Sequence, residues 1–161
     1  MLFRRARPPR PQGRVSSSLF VAATLMAMPA AAQEAVDGDT LKVDGTTYRL
    51  HGIDAAEPEQ ICADGWPAGW AAREYLNELI EDKELDCTTM GNQNGQTVAV
   101  CRADGVDLGA AMVTGGHALA FLPYSARYIS QEDAAAAARR GLHAHKCVPP
   151  WQWRARLDVE K

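Results

Sequence analysis

The chain predicts an α+β domain, a five-stranded OB-type β-barrel carrying three helices, and three observations lead there. Short β-rich runs occur in pairs joined by turn residues, helical patterns are inserted between the pairs, and the stretch after residue 32, about 130 residues, is enough to close one hydrophobic core. A parallel doubly wound sheet would instead alternate single strands with single helices.

The first 32 residues stand apart from that domain. Arg4, Arg5, Arg7, Arg10 and Arg14 precede an apolar run over 19–28, and Pro29-Ala30-Ala31-Ala32 closes it, the layout of a secretory signal peptide. The competing reading is a basic tail. The run is too short for a bilayer anchor, and Ala6, Arg7 and prolines follow Arg4-Arg5, which favours a Sec-type route over a twin-arginine one. The expected division is a signal peptide at 1–32, a globular domain at 33–150 and a C-terminal tail at 151–161, with the product secreted or periplasmic.

Within the domain, 41–43 and 46–50 are β-rich and are joined by Asp44-Gly45, a hairpin signal. Only 33–36 precede Asp37, so the first barrel strand must be short or begin inside the leader. From Pro67, Ala72, Tyr75, Leu76, Leu79 and Ile80 recur at helical spacing up to Asp82, and the stripe, Trp70 included, reads as core. A second hairpin pairs 85–88 with 97–102 around Gly91-Asn92-Gln93-Asn94-Gly95. Leu108, Met112 and Val113 mark a short helix stopped by Gly115-Gly116. After a strand-like link over 117–121, Ser130 and Asp133 resemble a capping box that opens a third helix reaching Arg140, with Gly141 as its stop.

Charge restricts the partners. The whole chain has 17 basic and 20 acidic residues, and loss of the five leader arginines leaves the exported part with 12 against 20, a net charge of −8. That balance disfavours tight, sequence-blind binding of nucleic acid, which depends on lysine and arginine facing phosphates.

Cys62, Cys87, Cys101 and Cys147 all lie in the exported part, where two disulfides are expected. Cys87 and Cys101 are equidistant from Asn94 and would face each other across the second hairpin, a bridge worth about 3 kcal/mol in the chain-entropy model. Cys62 with Cys147 follows only by elimination from the three pairings that four cysteines allow. Zinc is the competing use of these thiols, and no C-x-x-C spacing supports it.

The stretch 35–41, with Val36-Asp37-Gly38-Asp39-Thr40-Leu41, and the stretch 48–57, with Arg49-Leu50-His51-Gly52-Ile53-Asp54-Ala55-Ala56-Glu57, carry the candidate chemistry. Asp39 and Asp54 end neighbouring strands, and with a backbone carbonyl near Ala55 they offer oxygen ligands suited to calcium. A carboxylate such as Glu57 can take a proton from water, and a guanidinium such as Arg49 can stabilise the charge that develops on a phosphate. From spacing alone the plainer reading is the stronger: Asp37-Gly38 and Asp39-Thr40 as turn formers, and Arg49 with Glu57 as a surface pair. His51, His117, His143 and His145 read as solvated or core-edge histidines, and Trp66, Trp151 and Trp153 as packing or tail residues.

These two strings resemble the thermonuclease (staphylococcal nuclease-like) family. Later stretches are similar too: Val98-Ala99-Val100-Cys101, Met112-Val113 before Gly116-His117-Ala118, Tyr124 to Tyr128, 138–142, and Val148-Pro149-Pro150-Trp151-Gln152-Trp153-Arg154. The resemblance covers nearly all of the exported part. It implies Asp39 and Asp54 as calcium ligands, Arg49 as one of two phosphate-binding arginines, Glu57 as general base and nucleic acid as substrate. The acidic balance makes that binding weak, and a monomer free of the membrane after signal cleavage is expected. The chain departs from the family at the second arginine: where a Tyr-Gly-Arg motif is expected it has Asn94-Gly95-Gln96. Loss of a comparable arginine in phosphoryl transfer costs roughly 10³ to 10⁵ in rate. Ala56 stands where proline is expected, His143 where tryptophan is, and Arg102, six residues beyond Gln96, is too far along to substitute. Two functions follow as expectations: a calcium-dependent phosphodiesterase of reduced activity on DNA or RNA, or a catalytically disabled relative serving as a periplasmic binding or structural module.

Overall fold

The computed structural model describes residues 32–93 and 95–159. The expected leader, apart from Ala32, and Asn94 of the expected hairpin turn lie outside them. The chain order is β1 (Gln33–Ala35), β2 (Thr40–Val43), β3 (Thr46–Leu50), β4 (Ile53–Ala55), α1 (Ala68–Ile80), β5 (Leu85–Gln93), β6 (Gln96–Ala103), β7 (Val106–Asp107), α2 (Leu108–Gly115), β8 (Ala118–Ala120), α3 (Ile129–Ala137), a 3-10 turn (Gly141–His143) and α4 (Pro150–Val159). The class is α+β, as expected.

The sheet departs from the expected five-stranded barrel. Six strands form one mixed sheet in the order β1-β2-β3-β6-β5, with β7 also on β6, and β4 pairs separately with β8. β3 and β6 run parallel, and the other pairings are antiparallel. Hydrogen bonding does not close this sheet into a barrel, and β1 shows why. It is only three residues long, and the outer edge of Ala35 is met by helix side chains: its N–H donates to Asn77 Oδ1 at 2.8 Å and its carbonyl accepts from Arg73 Nε at 3.0 Å. A strand edge already satisfied by α1 has no unpaired groups left there for another strand.

α1 buries Ala68, Gly69, Ala72, Leu76 and Ile80, with Tyr75 and Leu79 packed beside them. Trp70 is not in that stripe. It is 61% exposed, because at 100° per residue position 70 falls nearly opposite Ala72 and Leu76. The main core joins Leu41, Leu50, Ile53, Leu76, Ile80, Cys101, Leu108, Met112, Val113 and Tyr128. A smaller cluster gathers Ala56, Cys62, Ala68, Leu119 and Leu142, with Trp66 and Cys147 packed against it.

The second hairpin is longer than expected, and a bulge at Met90 shifts its register between Thr89 and Gly91. Cys87 and Cys101 are cross-strand partners and form one disulfide; Cys62 and Cys147 form the other. The α2 stop at Gly116 holds, but the expected capping box on α3 does not form. α3 opens at Tyr128 without a side-chain cap, and Ser130 Oγ bonds Gln131 instead. The largest difference lies at the end: most of the expected tail is α4, with Pro150 at its first turn, where a missing N–H has no cost. Among the described residues no helix is long and apolar enough to cross a membrane.

Candidate active site

The site forms where the β2–β3 hairpin, the end of β4 and α4 converge. An Asx turn starts it: Asp37 Oδ1 accepts the Asp39 N–H at 2.9 Å, so the turn-former reading of Asp37 holds. The Asp39 carbonyl then accepts the Leu50 N–H at 2.7 Å, which sets Asp39 beside Arg49 across the hairpin. Gly38 makes this approach sterically allowed, because a Cβ there would lie 2.6 Å from Ala72 Cβ and 2.7 Å from Ala55 Cβ.

Asp39, Asp54, Arg49 and Glu57 are brought together. Arg49 Nη1 donates to Asp39 Oδ1 at 2.7 Å and its Nη2 to Asp54 Oδ1 at 3.3 Å, so one guanidinium spans both aspartates. Asp39 Oδ2 accepts the Ala55 N–H at 3.1 Å, and Thr40 Oγ1 donates to Asp39 Oδ1. Burial pushes the Asp39 carboxyl up to about 7, against the pull of Arg49 and the Ala55 N–H. The aspartates are buried, whereas Arg49 and Glu57 keep 28% and 30% of their side chains exposed toward the cleft.

A residue the sequence reading placed in the tail completes the cluster. Arg154 of α4 donates through Nη1 to Asp54 Oδ1 at 3.0 Å and through Nη2 to Asp54 Oδ2 at 2.8 Å, a two-pronged grip, and Nη1 also reaches Glu57 Oε1 at 2.5 Å. These carboxylates hold the Arg154 guanidinium even more firmly in its charged form than usual. One hundred residues separate Arg154 from Asp54, and the signal that could have found it was Pro149-Pro150 as a helix start.

The loop carrying Glu57 is clamped to the chain just before α4. Gln60, buried, accepts the Glu57 N–H with Oε1 at 3.3 Å and donates through Nε2 to the Val148 carbonyl at 2.9 Å. The Ala63 N–H meets the Lys146 carbonyl, and the Cys62–Cys147 disulfide crosses at the same place. Gly69 lets α1 approach this loop, since a Cβ there would sit 1.9 Å from the Glu57 carbonyl oxygen. Trp151 packs its ring against Phe121 at 5.9 Å and seats α4 from the other side.

Two hollows open on the cluster. One of about 20 Å³ is lined by Asp37, Asp39, Arg49, Ala55, Ala56, Glu57 and Pro58. The other, about 290 Å³, is lined by Arg49, Asp54, Glu57, Gln93, Gln96, Phe121, Tyr124 and Arg154. Gln96 thus faces the same cleft as Arg49, Asp54 and Glu57, while Asp39 borders only the smaller hollow. The carboxylates of Asp37, Asp39 and Glu57 at the small hollow are oxygen ligands of the kind a hard cation takes, and the hollow's size suits an ion or one water. The Arg49 guanidinium borders it too, however, and already holds Asp39. A cation drawing on Asp54 as well competes with Arg154 for that carboxylate. His51 borders a neighbouring groove; His117 stacks on Tyr75, and His145 stacks on Trp66 with its Nδ1 2.9 Å from Asp64 Oδ2, so neither pairs with a carboxylate of the cluster. Among the described residues no group of three or more His, Cys, Asp or Glu is arranged to hold a metal.

No family model matches the chain. It is similar to the succinoglycan biosynthesis protein ExoI of Rhizobium meliloti (strain 1021), at 29% identity over 62% of this chain and 59% of that protein. The chain therefore spans less than two thirds of the length of this curated relative.

Proposed function

We propose that this chain is a thermonuclease-like, calcium-dependent phosphodiesterase that hydrolyses DNA or RNA outside the cytoplasm, at reduced rate. The fold that goes with this reading is an OB-type arrangement whose barrel is left unclosed. The observation that carries it is the joining of Asp39, Asp54, Arg49 and Glu57 in one ion-paired cluster bordered by two hollows, from positions that spacing alone would assign to turns and a surface pair. Two disulfides support export to an oxidising compartment.

The chemistry divides among these residues. A calcium ion held by Asp39, Asp54 and the Ala55 backbone would supply positive charge to a phosphate oxygen. Glu57 takes a proton from water as the water oxygen bonds to phosphorus, and the P–O bond to the leaving nucleotide breaks with its electron pair going to the nucleotide oxygen, which takes up a proton from solvent. Arg49, oriented by the two aspartates, donates to the phosphate as its negative charge grows. Gln96 lines the cleft as a neutral donor, so the rate is reduced while the base and cation positions stay in place. The relative's name concerns polysaccharide biosynthesis; it names no reaction, and a guanidinium and carboxylate cleft supports a phosphate ester more directly than a neutral sugar.

A second reading has its own observation: Arg154 occupies Asp54 and Glu57, which favours a disabled module that keeps the cleft closed by ion pairs. Digestion of DNA and RNA by the domain in calcium and in chelator, with Glu57→Gln as control, decides between them. Calcium-dependent cutting lost in Glu57→Gln is the expected result. Absence of cutting by the unaltered domain favours the module, and cutting that survives the substitution removes Glu57 as the base.

A further inference from the structure

We propose that Arg154 is the second phosphate-binding arginine of this site, delivered by the C-terminal helix to the cleft where Gln96 brings no charge. The inference rests on the phosphodiesterase reading and adds a residue to it. Arg49 and Arg154 line one cleft and converge on a single oxygen of Asp54, so two guanidinium groups sit within a phosphate's reach of each other.

Both arginines keep donors to spare. A guanidinium carries five N–H groups; Arg154 commits both of Nη1 and one of Nη2, leaving its second Nη2 hydrogen and its Nε–H among the described contacts. Arg49 commits one hydrogen from each Nη. Their side chains are 38% and 28% exposed, so each reaches solvent while its far side is held by carboxylates. Two half-exposed cations fixed by buried anions make a clamp for a phosphate dianion, on a domain whose net charge otherwise repels one.

The position is built. The Cys62–Cys147 bridge and the Gln60–Val148 bond fix the entry to α4, and Trp151 seats it on Phe121, so Arg154 is aimed by covalent and packed constraints. Arg102 cannot take this role: it lies at the other end of β6 from Gln96, about 20 Å along an extended strand.

The test is calorimetric binding of adenosine 5′-monophosphate in calcium by the disulfide-intact domain, compared with Arg154→Ala, Arg154→Lys and Arg49→Ala, each checked by thermal melting. The expected result is about a tenfold or greater loss of affinity for Arg154→Ala. Partial recovery is expected in Arg154→Lys, which keeps the charge and loses the fork. Unchanged affinity in a folded Arg154→Ala, with Arg49→Ala impaired, overturns the inference and leaves the phosphodiesterase reading standing. Unchanged affinity in both overturns the two together. A lowered melting temperature with intact affinity assigns Arg154 a structural role only, and likewise overturns the inference.

Discussion

Arg49 and Arg154 donate to the same oxygen, Oδ1 of Asp54, at 3.3 and 3.0 Å. Asp54 is thereby the anion that holds two cations, one 5 residues and the other 100 residues away in the chain, and it is almost fully buried. Asp54→Asn is expected to destabilise the domain by about 2 to 3 kcal/mol. This lies below the range for a wholly buried pair, because both arginines are partly solvated. The urea unfolding midpoint measures it, and an unchanged midpoint removes Asp54 as the organising charge.

Gln96 faces the cleft that Arg49 and Arg154 share. Gln96→Arg is expected to raise DNA hydrolysis in calcium by about tenfold, short of the roughly 10³ to 10⁵ that a comparable arginine contributes elsewhere, because Arg154 already brings a charge to this cleft. A rate assay at saturating substrate reads this directly, and no gain counts against the placement of Gln96 at the reacting phosphate.

Gly38 lies between Ala55 and Ala72 with no room for a methyl group. Because both neighbours are short and rigid, Gly38→Ala must move backbone, at about 1 to 3 kcal/mol. The melting temperature should fall, and activity should fall further than stability explains, since the same shift displaces Asp39.

The Cys62–Cys147 bridge closes a separation of 85 residues at the root of α4. Cys147→Ser in a Cys62→Ser background is expected to cost about 2 to 5 kcal/mol. It should also lower affinity for adenosine 5′-monophosphate toward that of Arg154→Ala. Calorimetry on the folded double variant tests the second effect, and retained affinity means that packing alone places the helix.

His117 stacks on Tyr75 at 4.3 Å, and burial holds its imidazole below the usual histidine range. A depressed folded value means that the fold prefers the neutral ring. The stabilisation is complete above the unfolded value near 6.5 and is lost as pH falls through the folded one. Melting temperatures between pH 8 and pH 5 should fall more steeply for the natural sequence than for His117→Gln, and parallel profiles would sever that link.

Much was legible in the sequence because local chemistry forces it. Asp44-Gly45 marks its hairpin, the period from Ala72 to Ile80 fixes the buried face of α1, and the symmetric spacing of Cys87 and Cys101 around a turn sets their pairing. The motif strings pointed to Asp39, Arg49, Asp54 and Glu57, which lie within 19 residues of one another. What required coordinates was everything settled by distance through space. Reading Trp70 as core followed its apolar character, whereas the helical period already places it away from Ala72 and Leu76 and the structure leaves it exposed. A capping motif does not reveal that Ser130 prefers Gln131, nor does a three-residue strand reveal that helix side chains will satisfy its outer edge. Arg154 shows the divide most plainly. Its neighbours in sequence are a proline-started helix, while its partners are carboxylates a hundred residues away. Sequence determines which groups a chain carries and which local shapes they favour; only the closing of long loops, here by a disulfide and a buried glutamine, decides which charges meet.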